Sequence, residues 1–214
     1  MALAGRSDSL SSTPFAPHFA SHVAHPFRMK FKTLLVTSVC PTPLGGMTLA
    51  ASPAGLAGAW FEGQQHLPPE LASDAAGGSA ARWPAQPSHP VLQEAARQIG
   101  AYFDGTLNDF DLPLDLSAGT AFQQAVWQAL RALPRGHTCS YSALSERIGR
   151  PAAVRAVGGA IARNPISLIV PCHRVIGAAG ALTGYAGGLA RKTALLQGEG
   201  ALPAPKCSSR PSPA

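Results

Sequence analysis

The chain has 214 residues, of which 46% are hydrophobic and 13% are charged. That length allows one large or two small domains, and the hydrophobic fraction supports a packed core. No apolar run approaches the roughly 20 residues that a membrane-spanning helix needs, which excludes an integral helical membrane protein.

The net charge of +6 is unevenly distributed along the chain. Residues 1–118 carry six Lys and Arg against nine Asp and Glu, a net charge of −3. Residues 119–214 carry eleven against two, a net charge of +9. A basic part with so few acidic residues favours a polyanionic partner, nucleic acid first, although a merely solvated basic face gives the same count.

Both ends of the chain are predicted to be disordered tails. Residues 1–31 have neither helical nor strand periodicity and lack the organisation of a signal peptide. Met29 also fits a start codon, so a shorter translated protein is an open hypothesis. Residues 201–214 are rich in Pro and Ser, which removes Cys207 as a candidate for an organised site.

Residues 32–118 are predicted to form an N-terminal scaffold domain, because they contain no polar cluster that suggests chemistry. Apolar and β-branched runs indicate a three-stranded meander, and helical spacing of apolar residues follows a polar, Pro- and Gly-rich loop. The predicted elements are strands at 33–39, 47–51 and 56–61, a loop at 62–88, a helix at 90–103 and a strand at 112–116.

Residues 119–200 are predicted to be mainly helical. Thr120 is a suitable N-cap for a first helix, which ends at Pro134. Two short helices at 142–148 and 152–163 flank a Gly-containing turn and together have the size of a helix-turn-helix motif. A strand is predicted at 168–170 and a last helix at 189–199, with Arg191 and Lys192 exposed.

The second of the paired helices contains adjacent glycines, Gly158 and Gly159. Two glycines cost a helix about 2 kcal/mol relative to alanine, so they require a compensating role. Close approach of the helix backbone to a bulky surface such as DNA is one such role, and close packing against another helix is the alternative. Arg155 lies on the same helix and is long enough to reach a base stack.

The run Ile169–Ile176 reads Ile-Val-Pro-Cys-His-Arg-Val-Ile. Its β-branched pairs predict two buried strand segments on either side of one polar step. Cys172 and His173 would then point to opposite faces, so that a bridging water or a bend is needed to connect them. Taken alone, Cys172 fits a small core residue as well as an activated nucleophile.

Several separate segments of the C-terminal part resemble the O6-alkylguanine-DNA alkyltransferases, also called methylated-DNA–protein-cysteine methyltransferases. The segments are Arg155-Ala156-Val157-Gly158-Gly159-Ala160, Asn164-Pro165, Pro171-Cys172-His173-Arg174-Val175 and Tyr185-Ala186-Gly187-Gly188-Leu189. The resemblance covers residues 119–200 at motif level and extends more weakly to 32–118. It implies a two-domain α/β plus α fold, with a ribonuclease-H-like N-terminal α/β domain and a helical, winged-helix-like C-terminal domain containing the helix-turn-helix.

The resemblance also implies the function. This is DNA repair by direct, stoichiometric transfer of a methyl or alkyl group from O6-alkylguanine to Cys172, with O4-alkylthymine as a second candidate substrate. The expected partner is double-stranded DNA carrying alkylated bases, from which the helix-turn-helix flips the base through the minor groove. We expect a cytoplasmic monomer without a cofactor or a membrane contact, a compartment that four cysteines without a CxxC pair also favour.

Individual roles follow from the same resemblance. Cys172 is the implied alkyl acceptor, His173 its water-mediated base, and Glu199 the carboxylate that orients His173. Tyr141 is the implied hydrogen-bond donor to the guanine, although aromatic core packing is the alternative for both Tyr141 and Tyr185. The implied DNA-binding residues are Arg155, which fills the gap left by the flipped base, with Ala156, Gly158 and Gly159. The implied pocket and structural residues are Asn164, Pro171, Arg174, Tyr185, Ala186, Gly187 and Gly188.

The chain departs from the family pattern at a metal site. Some members carry zinc in the N-terminal domain, but Cys40 and His66 do not reproduce its ligands, so we predict no metal.

Two other functions remain as alternatives. The first is a non-catalytic helix-turn-helix or lesion-recognition protein; in the recognition-only relatives of the family the acceptor cysteine is replaced, whereas Cys172 is present here. A cysteine hydrolase would need a separate His, an Asn or Asp and an oxyanion hole, and it would leave the basic helix-turn-helix without a role.

Overall fold

The computed structural model describes residue 31, residues 33–71 and residues 83–203. Nearly all of the two predicted tails, including Cys207, lies outside the described residues, as does 72–82 within the predicted loop.

The N-terminal part is built on a three-stranded antiparallel sheet. Strands β1 (Val36–Cys40), β2 (Met47–Ser52) and β3 (Gly55–Phe61) follow one another in the order β1-β2-β3. Helix α1 (Pro90–Phe103) packs on this sheet, with Pro90 in its first turn, where a missing N–H costs no helical hydrogen bond. The predicted meander and the predicted helix are therefore confirmed.

The strand predicted at 112–116 is wrong. Leu114 forms an isolated parallel bridge with Leu56, through hydrogen bonds from Leu56 N to Pro113 O and from Asp115 N to Leu56 O. Pro113 has no N–H to donate, which limits how far a strand ladder can continue through it. The predicted loop that begins at residue 62 contains one short 3-10 helix, Pro69–Leu71, in its described part.

The C-terminal part contains four α-helices and a two-stranded parallel sheet within the described residues. The elements are α2 (Ala121–Arg131), β4 (Cys139–Ser140), α3 (Tyr141–Arg147), α4 (Val154–Ala162), β5 (Val175–Ile176) and α5 (Leu189–Gly198). Thr120 caps α2 in a reciprocal pair of hydrogen bonds with Gln123, as a capping box requires. Strands β4 and β5 pair in parallel and bring the start of α3 beside the segment that follows Cys172.

Three predicted elements differ in the structure. Helix α3 begins at Tyr141, one residue early, because Ser140 caps it by accepting a hydrogen bond from Ala143 N. Helix α4 follows a short 3-10 helix at Pro151–Ala153. The strand predicted at 168–170 is wrong, since this segment is a buried loop in which Leu168 has a left-handed φ of 74°.

One buried cluster contains side chains from both parts of the chain. It joins apolar residues of the sheet and of α1 to those of α2, α4 and the loop before Cys172. Trp127 of α2 is almost completely buried and donates a hydrogen bond from Nε1 to Ala160 O of α4 at 2.9 Å. Across the described ranges, no helix combines the length and apolarity needed to cross a membrane.

Candidate functional site

Cys172 opens a short 3-10 helix, Cys172–Arg174, that connects the buried loop to β5. The predicted pair of strand segments is therefore wrong on the N-terminal side, and the alternation of strand faces does not govern Cys172 and His173. The cysteine is only 4% exposed, yet it lines a pocket of about 380 Å³. The other lining residues are Gln65, Tyr141, Gly158, Ile161, Ala162, Thr183, Gly184, Tyr185 and Ala186.

The sulfur of Cys172 is held by Asn164, which follows the end of α4. Asn164 Nδ2 donates hydrogen bonds to Cys172 Sγ at 3.0 Å and to Val170 O at 2.8 Å, and its Oδ1 accepts from Ile166 N at 3.0 Å. Burial raises the pKa of the Cys172 thiol, against the smaller opposing effects of Asn164 and Lys192. The resting thiol is therefore protonated at neutral pH and needs a base to become a nucleophile.

His173 is fully buried beside a carboxylate that α5 contributes at its C-cap. His173 Nε2 lies 3.0 Å from Glu199 Oε1. Burial lowers the pKa of His173 more than Glu199 raises it, so the ring is neutral at pH 7. A neutral ring facing a carboxylate carries its proton on Nε2, which leaves a lone pair on Nδ1. Among the described residues, Nδ1 has no hydrogen-bond partner.

Arg174 holds the same carboxylate from the other side. Its Nε donates to Glu199 Oε2 at 2.9 Å, its Nη2 to Glu199 Oε1 at 2.7 Å and its Nη1 to Leu133 O at 2.5 Å. Burial alone would raise the pKa of Glu199, but the hydrogen bonds from His173 and Arg174 hold it well below its usual value. The carboxylate is therefore charged, and Arg174 supports it rather than lining the pocket of Cys172.

Two residues of this site were missed in the sequence. Tyr102 of α1 donates its hydroxyl hydrogen bond to Glu199 Oε1 at 2.8 Å. Lys192 was predicted to be exposed, which is wrong: it is fully buried, and its Nζ donates to Val175 O at 2.5 Å and to Thr183 O at 2.7 Å. Helical spacing gives a signal for the burial of both, though not for their hydrogen-bond partners. Tyr102 follows the apolar Ile99 by three positions, and Lys192 precedes the apolar Leu195 by three.

Of the other residues that the resemblance implies, Tyr141, Tyr185 and Ala186 line the pocket of Cys172, whereas Pro171, Gly187 and Gly188 do not. Tyr141 is half-buried, and Tyr185 is buried against the core with its ring edge-on to His173 at 6.5 Å, so each ring both packs and lines the pocket. Gly187 is required, because a Cβ there would lie 2.6 Å from the Tyr185 ring. Gly188 has a φ of 90°, a conformation that favours glycine, at the start of α5.

The glycine pair of α4 has no packing explanation among the described residues. A Cβ on Gly158 would lie 3.8 Å from the Tyr141 ring, an ordinary contact. A Cβ on Gly159 would meet only the end of the Arg163 side chain, at 3.0 Å. Arg155 and Ala156 are exposed on the same helix. Close packing between helices therefore does not account for the two glycines.

A metal centre also finds no support in the described ranges, where no three His, Cys, Asp or Glu side chains are grouped to bind an ion.

Comparisons with known proteins match both parts of the chain. The ribonuclease-like domain of 6-O-methylguanine DNA methyltransferase matches residues 35–116, and the DNA binding domain of the same family matches residues 121–201. This chain belongs to the 6-O-methylguanine DNA methyltransferase family. The resemblance seen in the sequence is confirmed, together with a two-domain organisation of mixed helix and sheet.

Relatives and solved structures agree with this assignment. The methylated-DNA–protein-cysteine methyltransferase of Mycobacterium bovis is 46% identical over 156 residues, which are 73% of this chain and 87% of that protein. The Mycobacterium leprae protein of the same name is 56% identical over 111 residues, 52% of this chain and 67% of the relative. Mycobacterium tuberculosis OGT in complex with DNA is 43% identical, with a TM-score of 0.67 over 77% of this chain and 92% of that one.

Proposed function

We propose that this chain repairs DNA by moving a methyl or other alkyl group from O6 of guanine to Sγ of Cys172, once per protein molecule. The chain is a methylated-DNA–protein-cysteine methyltransferase, as its relatives are named, rather than a non-catalytic DNA-binding protein. The observation that carries the choice of cysteine is the position of Cys172, on a pocket wall and next to a buried histidine bound to a carboxylate.

The proton of the thiol needs an acceptor. The lone pair on His173 Nδ1 supplies one through a bridging water, while Glu199 stabilises the imidazolium that forms on the Nε2 side. The thiolate then attacks the alkyl carbon in line with the O6–carbon bond. A C–S bond forms as the C–O bond breaks, and the electron pair passes to the guanine.

The leaving group improves if the guanine ring gains a proton as the C–O bond breaks. Tyr141 lies on the pocket wall and is the hydrogen-bond donor that we assign to this step. The protein product is a thioether, which no nucleophile in the described part of the site is placed to cleave. Each molecule therefore acts once.

The pocket suits a flat, extruded base. Several of its lining residues are small, among them Gly158, Gly184 and Ala186, and the rings of Tyr141 and Tyr185 also line it. Extruding a base costs a few kcal/mol, and less for a poorly paired lesion. O4-alkylthymine is a smaller substrate of the same chemistry, and we place it second.

DNA contact is assigned to α3 and α4, which we describe as a helix-turn-helix in a winged-helix-like domain beside a ribonuclease-H-like domain. Arg155 and Ala156 are exposed on α4, and Gly158 lies between this surface and the pocket. A guanidinium at Arg155 reaches into the duplex to replace the extruded base. The minor groove is the assigned binding face, and the protein acts as a monomer.

Transfer of a radiolabelled methyl group tests the proposal. DNA duplex with one labelled O6-methylguanine is mixed with the intact chain, and label is expected on protein up to one equivalent. Cys172→Ala is expected to abolish transfer while retaining duplex binding. Cys139→Ala is the matched control, because Cys139 is half-buried and does not line the pocket, and it is expected to transfer normally.

Two outcomes would contradict the proposal. Label on the Cys172→Ala protein would exclude Cys172 as the acceptor. More than one equivalent transferred per wild-type molecule would exclude a single-use thioether product.

A further inference from the structure

Tyr102 connects the N-terminal helix to the carboxylate of the site. It lies near the end of α1, is only 3% exposed, and donates its hydroxyl to Glu199 Oε1 at 2.8 Å. The donor and the acceptor are 97 residues apart in the chain. Tyr102 does not line the pocket of Cys172, and its hydrogen bond connects it to the site through Glu199.

The ring of Tyr102 is fixed independently of its hydroxyl. Phe110 stacks on it with ring centroids 5.4 Å apart, and Phe103 packs edge-on at 5.3 Å. The guanidinium of Arg135 lies over the ring, 4.7 Å from its centroid. Loss of the hydroxyl alone therefore leaves the aromatic packing in place.

We propose that Tyr102 is a positioning residue of the alkyl transfer, which orients and tunes Glu199 for its action on His173. This inference rests on the proposed function, because it assigns a role within the same proton relay. The N-terminal domain thereby contributes one hydrogen bond to the chemistry, and it is not only a scaffold.

Competition for one oxygen is the physical basis of this role. Glu199 Oε1 accepts hydrogen bonds from Tyr102 OH, from His173 Nε2 and from Arg174 Nη2. Each donor withdraws negative charge from that oxygen and weakens its attraction for the others. Without the phenol, Glu199 attracts the Nε2 proton of His173 more strongly, which favours the imidazolium form and raises the pKa of His173.

The phenol is a constant donor over the working pH range. Burial and the neighbouring Glu199 raise the pKa of Tyr102, so that it does not ionise. The charged groups that act on His173 are Glu199, Arg174 and Lys192, with the Cys172 thiol and the Tyr185 phenol also in the site. Arg135 and Arg174 face Tyr102 itself. The hydroxyl is the part of this arrangement that can be deleted with least change in shape.

The test measures single-turnover transfer from methylated duplex as a function of pH for Tyr102→Phe. We expect a rate about tenfold below wild type at neutral pH, because Glu199 loses one of the donors that hold it in position against His173, and this loss of one hydrogen bond to a charged group outweighs the gain in basicity of His173. We also expect the acid limb of the rate profile to move to higher pH, because a raised pKa keeps His173 protonated, and unable to accept the thiol proton, up to a higher pH.

The control variant is Phe110→Leu, which removes a ring stacked on Tyr102 but keeps its hydroxyl. It is expected to lower thermal stability and to leave the acid limb in its wild-type position. A wild-type rate and profile for Tyr102→Phe would overturn the inference. So would a slower rate with an unmoved acid limb, since that result shows a structural effect alone.

Nitrogen NMR of the histidine rings, in the intact chain without DNA, separates this inference from the proposed function. The His173 signals are assigned with His173→Gln, and its pKa is expected to be higher in Tyr102→Phe than in wild type. If wild-type protein accepts no methyl group, the proposed function fails whatever the NMR shows. If wild type transfers normally but the His173 titration is the same in both proteins, the role of Tyr102 fails.

Discussion

At the scale of single residues, burial sets the chemistry of the resting site. It raises the pKa of the Cys172 thiol and lowers that of the His173 imidazole, so both groups are uncharged at neutral pH. A proton transfer between them in the empty pocket would create two buried charges, which is unfavourable. We therefore expect the thiolate to form mainly when an alkylated nucleobase occupies the pocket, because its attack then passes the negative charge on to the guanine.

Lys192 is a buried amine whose charge acts on both Cys172 and His173. Burial lowers its pKa to about 8, against an ordinary value of 10.5. Between these pH values the unfolded chain holds a proton that the folded chain has released, so folding becomes more favourable as pH rises. We expect the wild-type free energy of unfolding to increase relative to that of Lys192→Met from below pH 8 to about pH 10. Urea unfolding of both proteins measures the difference.

A difference that stays flat over that pH window would show that the ammonium of Lys192 keeps its ordinary pKa. The Met variant is the reference because its length and apolar stem are similar. It lacks the titrating amine and its hydrogen bonds to Val175 O and Thr183 O, so the pH dependence of the difference, and not its size, is the readout.

Arg155 is expected to contribute to the repair of duplex DNA and not to the reactivity of the Cys172 sulfur. It is exposed on α4 and does not line the pocket of Cys172. Arg155→Ala should therefore slow repair of methylated duplex at least tenfold, the scale of one lost charged contact, and leave the reaction with free O6-methylguanine unchanged. Arg97→Ala, an exposed arginine of α1, is the control. Equal losses on both substrates would remove Arg155 from the base-replacing role.

At the scale of elements, the glycine pair lowers the stability of α4, and we attribute the pair to the space that a base or DNA needs beside this helix. Its two glycines weaken the helix, and no described neighbour requires both of them. Gly158→Ala should raise the free energy of unfolding by about 0.5–1 kcal/mol, since its Cβ meets only the Tyr141 ring at 3.8 Å. The same methyl group takes up space in the pocket and beside the surface to which we assign DNA contact, so repair of methylated duplex should fall severalfold.

Gly100→Ala in α1 separates these two effects. Nothing lies within 4 Å of the added Cβ at Gly100, so stability should rise without any change in repair. If Gly158→Ala also leaves repair unchanged, close approach to a base or to DNA does not explain the glycine. Urea unfolding and the methyl-transfer assay supply the two measurements.

The elements also show where sequence patterns suffice. The three-stranded sheet follows from apolar and β-branched runs separated by turn residues, and α1 follows from apolar residues at helical spacing. Leu168–Val170 is as β-branched and apolar as a strand, yet it is a loop, since burial of an irregular segment depends on neighbours distant in sequence. Lys192 was misplaced for a similar reason: its two carbonyl partners come from segments that only the fold brings together.

Motif and geometry contributed differently to the site. Cys172, His173 and Glu199 were implied by a family resemblance. The structure pairs the side chains of His173 and Glu199, and Cys172 precedes His173 in the same 3-10 helix. The hydroxyl of Tyr102 could not be assigned to Glu199 from the sequence, since the two residues lie in different domains. An aromatic residue on an apolar helix face gives no indication of what its hydroxyl meets.

At the scale of the whole molecule, the two parts share one hydrophobic core and the Tyr102–Glu199 hydrogen bond. We therefore expect one cooperative unfolding transition. In Trp127→Phe, fluorescence reports only on Trp60 and Trp83 of the N-terminal part, while circular dichroism at helical wavelengths also reports on the C-terminal helices. Coincident midpoints in urea are expected, and two separated midpoints would show that the parts unfold independently.

Asn164 connects helix α4, to which we assign DNA contact, with the alkyl-acceptor sulfur of Cys172. Its backbone follows α4, and its Nδ2 contacts the sulfur of Cys172. Once that sulfur carries an alkyl group, the amide loses a good acceptor, and extra volume must be accommodated beside the end of the helix. We therefore expect the alkylated protein to differ from the unreacted one at the end of α4, the helix to which we assign DNA contact. Release of the repaired duplex and recognition of spent protein would then have the same structural origin.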